Sequence, residues 1–105
     1  MKVAIIEGSD FDDYNFLCES LEPYKSKIKL IIINDNNTLG KKYSLDNKIK
    51  HKVIYNENII NDSDCVVAFW NGISEGTNNL LNLCETYEKP YKVFYFKDKD
   101  IEYGY

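Results

Sequence analysis

Two short stretches carry the residue types best suited to binding chemistry: Glu7-Gly8-Ser9-Asp10-Phe11 and Asn71-Gly72-Ile73-Ser74-Glu75-Gly76-Thr77. Each follows an apolar run, and each mixes glycine with small polar and acidic side chains. Glycine lets a ligand approach the backbone closely. Gly76 and Thr77 open a helix whose first amide hydrogens have no internal partner. Together with the helix dipole, those amides can hold a phosphate or another anion. Ser9, Ser74 and Thr77 could add hydroxyl donors. The expected ligand-binding set is therefore Gly8, Ser9, Asp10, Phe11, Asn71, Gly72, Ser74, Glu75, Gly76 and Thr77. The plainer alternative is a pair of ordinary strand-to-helix turns, with Ser74 or Thr77 as a cap.

The acids near these stretches allow a second chemistry. Glu7, Asp10, Asp12, Asp13 and Glu75 could serve as general acids or bases. As solvated loop residues and partners of a helix dipole they need no such role. Their spacing matches no metal-ligand pattern, so neither a metal nor a cofactor is expected. His51, the one histidine, has no visible serine or cysteine partner and reads as structural or exposed.

The elements that must position these loops alternate in type. Lys2–Ile6, Ile28–Ile33, His51–Tyr55, Cys65–Trp70 and Tyr91–Phe96 are short runs rich in branched and aromatic residues, suited to buried parallel strands. Between the first two, Tyr14, Leu17, Cys18 and Leu21 recur at helical spacing. Asp12 and Asp13 precede them and Pro23 marks the end. Thr38 is placed to cap a helix carrying Leu39 and Tyr43. Residues 56–62 have room for one or two helical turns. The longest helix runs from Gly76 to Glu88 and is ended by Pro90. Leu80 and Cys84 are expected to face the sheet, and Leu81 and Tyr87 to form an outer apolar edge.

This alternation predicts an α/β fold: a Rossmann-like three-layer sandwich of about five parallel strands in the order 3-2-1-4-5. Residues 1–97 form a single domain, and 98–105 a polar and then aromatic tail. In such a sheet the order reverses between strands one and four, and ligands bind beyond their carboxyl ends. Those are the strands that lead into the two polar loops.

Composition narrows the partners. The chain has 105 residues, a net charge of -4 and 13 basic side chains, every one of them lysine. An acidic chain without arginine is a poor candidate for gripping nucleic acid. No apolar run is long enough to span a membrane. The opening Met-Lys-Val-Ala-Ile-Ile enters a strand pattern directly and lacks a signal peptide's cleavage region, so a cytoplasmic protein is expected. The odd count of three cysteines, with no Cys-x-x-Cys pair, agrees with a reducing compartment. Cys18, Cys65 and Cys84 all fall in apolar patterns and read as small buried hydrophobes.

The opening, Met1 to Leu21, resembles that of the SLOG superfamily, Rossmann-like relatives of the cytokinin-activating LOG enzymes and of the DNA-processing protein DprA. The segment from Asn61 to Asn79, which contains Phe69-Trp70-Asn71-Gly72-Ile73-Ser74-Glu75-Gly76-Thr77, is similar to the Phe-Trp-Asp-Gly-x-Ser-x-Gly-Thr segment of small bacterial and phage members. Leu39 to Lys50 resembles their second helix. The resemblance implies a domain that binds a nucleotide or a nucleotide-derived ligand, and a homo-oligomer, most simply a two-fold dimer joined through the helix from Gly76 to Glu88.

The departures are specific. The arginine that family members carry between the first-loop serine and aspartate is missing, because Asp10 follows Ser9 directly. Asn34 to Thr38 replaces a glycine-rich loop after the second strand. A tryptophan- and glycine-rich loop after the third strand is absent, and Tyr55-Asn56 stands for an Arg-Asn pair. In LOG enzymes Gly-Thr-x-x-Glu supplies the catalytic glutamate; here the corresponding residue is Leu80, which can neither activate water nor stabilise an oxocarbenium ion. These features favour a non-catalytic binder, acting as a sensor or as a protein that sequesters a signalling nucleotide, the latter suited to a phage. The alternatives are a nucleotide N-glycosidase using relocated acids, and an interaction subunit with a closed pocket that uses its tyrosines as a contact surface.

Overall fold

The computed structural model describes residues 1–35, 38–55 and 58–96. Asn36 and Asn37 of the loop after the second strand, Asn56 and the 98–105 tail therefore lie outside the described residues. Five strands, β1 (Lys2–Glu7), β2 (Leu30–Ile33), β3 (Lys50–Val53), β4 (Cys65–Trp70) and β5 (Tyr91–Tyr95), form one all-parallel sheet in the order β3-β2-β1-β4-β5. The fold is Rossmann-like, as the alternation of elements predicts.

The sheet is buried on both faces, which is why its central strands read as unbroken apolar runs. Val3, Ile5, Ile31, Ile33, Val67 and Phe69 point to one face. There they meet α1 (Tyr14–Leu21) through Leu17 and Leu21, and α2 (Leu39–Asp46) through Tyr43. Ala4, Ile6, Ile32, Val66 and Ala68 point to the other. That side is covered by Ile59 and Ile60 of α3 (Asn58–Asp62) and by Leu81 and Cys84 of α4 (Glu75–Thr86).

Local signals set the helix ends. Asp13 caps α1, its carboxylate accepting from Phe16 N at 3.0 Å. Thr38 caps α2, its hydroxyl accepting from Lys41 N at 3.2 Å. Pro23 does not break the chain away from α1. It sits at the start of a 3-10 segment, Glu22–Lys27, that continues the helix, because proline's missing N–H costs nothing in a first turn. Ile28 follows that segment as a buried core residue before β2 begins at Leu30.

Two expectations are corrected. Leu81 is 6 % exposed and packs against the sheet, so it does not belong to an outer edge of α4. Leu80 is only half-buried, and Tyr87 is exposed as expected. The buried stripe of α4 is Thr77, Leu81 and Cys84, at i, i+4 and i+7, with Leu80 at its margin. Of the cysteines, Cys84 is buried, whereas Cys18 and Cys65 are half-buried. Burial pushes the Cys65 and Cys84 thiols up, which suits packing and not nucleophilic work.

The α1 face holds an aromatic cluster centred on Phe69, which is fully buried. Phe11 stacks on it at 4.7 Å, Phe94 stacks at 5.5 Å and Phe16 meets it edge-on at 5.9 Å. Removing its ring would leave a cavity that β4 cannot collapse into. Phe69→Ala is expected to cost about 3–5 kcal/mol, a large part of the stability of a domain this size. Urea unfolding followed by circular dichroism measures it.

Candidate functional site

The two polar loops meet because β1 and β4 are neighbours in register, with Glu7 opposite Phe69. Just past the strand, Gly8 N donates to the Phe69 carbonyl at 2.8 Å. A Cβ on Gly8 would stand 3.0 Å from that same carbonyl oxygen, a tight contact with the backbone that glycine avoids. Phe11 N then donates to Gly8 O at 3.0 Å, closing a turn. Ser9 and Asp10 are exposed at its tip. The Phe11 ring turns inward, between Phe69 and Phe96, at 4.9 Å from the latter. The first loop thus presents Ser9 and Asp10, while Gly8 and Phe11 serve packing.

The second loop is organised by its own polar groups. Asn71 Oδ1 accepts from Ile73 N at 2.8 Å and from Ser74 N at 2.9 Å, while Gly72 takes a left-handed φ of +87°. Trp70 Nε1 donates to the Ser74 carbonyl at 3.0 Å, tying the loop to the end of β4. Ser74 is the N-cap of α4, yet its side chain makes no capping hydrogen bond. Glu75 and Gly76 are exposed, Thr77 is buried, and a Cβ on Gly76 would meet nothing within 4 Å. Gly76 is therefore not demanded by the fold. Leu80, one turn on, is half-buried and packs against the α4-side core.

The residue whose role the sequence did not disclose is Glu7. Its Oε1 accepts from Leu39 N at 3.1 Å and its Oε2 from Gly40 N at 3.0 Å. A carboxylate from the end of β1 thus fills the N-terminus of α2, the position where a helix would otherwise bind an anion. Gly40 makes the approach possible: a Cβ there would lie 2.9 Å from Ile33 Cγ2 and 3.4 Å from Glu7 Oε2. Burial pushes the Glu7 carboxyl above its ordinary value, against the lowering effect of the two amides. An acid closing a buried strand was the available signal, but its partner lies 32 positions away.

His51 does have a serine partner, contrary to expectation. The Ser44 hydroxyl donates to Lys41 O at 2.6 Å and lies 3.1 Å from His51 Nδ1. Because that hydroxyl's proton goes to the carbonyl, the Nδ1–H must donate to Ser44 Oγ. Ser44 is fully buried, so the pair fastens α2 to β3 and exposes no nucleophile.

An apolar cavity of about 190 Å³ opens elsewhere, lined by Met1, Val3, Tyr24, Cys65 and Lys92 among others, at the amino ends of β1 and β4. A shallower and more polar hollow is formed by Asp12, Asp13, Tyr14 and Asn15, beside the first loop. Among the described residues no group of three or more His, Cys, Asp or Glu could hold a metal ion, and no helix is long and apolar enough to cross a membrane. No family model, curated protein or solved structure matches the chain.

Glu7→Ala would leave two amides of α2 without their acceptor and is expected to cost about 1–2 kcal/mol. Glu7 also carries a pH dependence. Its folded pKa lies above the ordinary 4.5, so the native state holds the proton more tightly and stability declines as pH rises from there through the folded value. Glu7→Gln removes that decline. Chemical denaturation of both variants and the wild type across acid to neutral pH measures both effects.

Proposed function

We propose that the chain binds a small nucleotide or nucleotide-derived ligand, without turning it over, in the crevice between the loops after β1 and β4. The observation that carries this reading is the uneven use of two helix N-termini at the same end of the sheet. Glu7 satisfies α2, whereas α4 begins at Glu75 after an N-cap, Ser74, that makes no side-chain capping bond, and carries an open, exposed Gly76. The reading also rests on the resemblance to the SLOG superfamily, whose membership is part of the proposal.

In this arrangement the amides of α4 face an anionic group of the ligand. Ser9 and Asp10 face its hydroxyl or base edges from the opposite loop. Asp10 and Glu75 repel a bare polyphosphate, so a nucleoside, an ADP-ribose-like molecule or a cyclic nucleotide fits better than a nucleoside triphosphate. Such a protein acts in the cytoplasm as a sensor or as a sink for a signalling nucleotide, with a phage product suited to the second role.

Mass spectrometry of small molecules released on denaturing the purified protein identifies the ligand. Gly76→Val places a branched side chain at the mouth, where the fold leaves room. Titration calorimetry should then show at least a tenfold loss of affinity with the far-ultraviolet spectrum intact; unchanged affinity places the site elsewhere.

Leu80 and its apolar surroundings offer no carboxylate at the LOG catalytic position. Nucleoside monophosphates incubated with the protein are expected to release no free base above background by chromatography. Release that Glu75→Gln or Asp10→Asn abolished would replace the binder with a hydrolase.

A further inference from the structure

The two edges of the sheet are built differently. β3 reads Lys50-His51-Lys52-Val53, a charged edge of the kind that resists pairing with another strand. β5 reads Tyr91-Lys92-Val93-Phe94-Tyr95, with one charge, no proline and no left-handed residue. Val66 N donates to Pro90 O at 3.0 Å and Phe96 N to Trp70 O at 3.1 Å, which turns the backbone groups of even-numbered residues toward β4. By strand alternation the N–H and C=O groups of Tyr91, Val93 and Tyr95 face outward. The side chains of the same residues lie on the α4 side of the sheet, where Tyr91 is 39 % and Tyr95 64 % exposed.

We propose that β5 pairs antiparallel with β5 of a second copy of this chain, about a two-fold axis at Val93, so that one sheet runs through both copies. Outward-facing backbone groups meet only when odd-numbered residues face odd-numbered ones. With Val93 opposite Val93, Tyr91 stands across from the second copy's Tyr95, an aromatic pair on one face. On the other face Lys92 stands across from the second copy's Phe94. Lys92 already lies 5.3 Å from its own Phe94 ring and, among the described residues, has no carboxylate partner. It also lies 5.6 Å from the Tyr24 ring, and the second copy's Phe94 adds to this aromatic surround.

Charge argues against the Lys92-centred register and against the other edge. Centring the pair on Lys92 would set lysine against lysine. The same operation on β3, centred on His51 or on Lys52, would do so too. The contact differs from a dimer joined through α4, because Tyr87 at the end of that helix takes no part in the strand ladder.

Light scattering on a size-exclusion column at micromolar concentration tests the proposal. The wild type should run at twice the 12.3 kDa chain mass. Tyr95→Pro removes an N–H that faces away from β4, and should halve the mass with the circular dichroism spectrum retained. Tyr91→Lys adds charge to the edge and should do the same, which keeps the test open if the proline variant unfolds. Tyr87→Glu should remain a dimer. A wild type of any other mass, a folded Tyr91→Lys that stays dimeric, or a dimer lost in Tyr87→Glu overturns the β5 pairing.

Discussion

The parallel pairing of β1 with β4 is the contact on which the rest of the molecule depends. Each strand lies between two others and is covered on both faces, so its backbone groups are satisfied by the ladder and its side chains by the two cores. Because the strands run the same way and in register, both deliver a loop to the same end of the sheet. The bond from Gly8 N to Phe69 O carries the pairing one residue beyond the strand and fixes how close the loops come. Gly8 and Phe11 are committed to that closure, which leaves the exposed tip and the start of α4 for any ligand.

Glu7 adds an electrostatic constraint at the same end. In a fold of this kind each helix that follows a strand points its positive end toward the ligand side. Here one of those ends is neutralised from within by a carboxylate that also fastens β1 to α2. The fastening occupies the amide end of α2, whereas the start of α4 has no side-chain cap.

Much of the fold was legible because periodicity and burial agree. Cys65–Trp70 was read with the bounds it has, since an apolar run buried on both faces has no competing interpretation. The cap at Thr38 is legible for the same reason that it works, since its side chain bonds within its own turn, whereas Asp12 and Asp13 read as dipole partners and only the fold shows Asp13 as the cap. What escaped was set at long range. Ile28 looks like strand but serves the core from the end of a 3-10 segment. His51 finds Ser44 only after α2 has packed on β3, and Glu7 finds α2 only once β1 and β2 are paired. Leu81 turns inward with Thr77 and Cys84 while Leu80 packs at the margin of the same face, a choice between adjacent leucines that only the packing makes. The candidate site was legible as two loops and not as a division of labour within them, since whether Phe11 greets a ligand or fills a core depends on Phe69, far along the chain.

The strand order also governs the sequence of events during synthesis. Lys2 meets Asp64 across 62 positions, so β1 waits for β2, β3 and the helices between them to be made before its second neighbour exists. Until β4 emerges, β1 can pair only with β2 and presents an open apolar edge on its other side. Loop closure over that span is slow compared with helix formation, and an unpaired edge invites other chains. A chain made in this order therefore passes through a stage in which a strand that ends up fully enclosed still has one edge open.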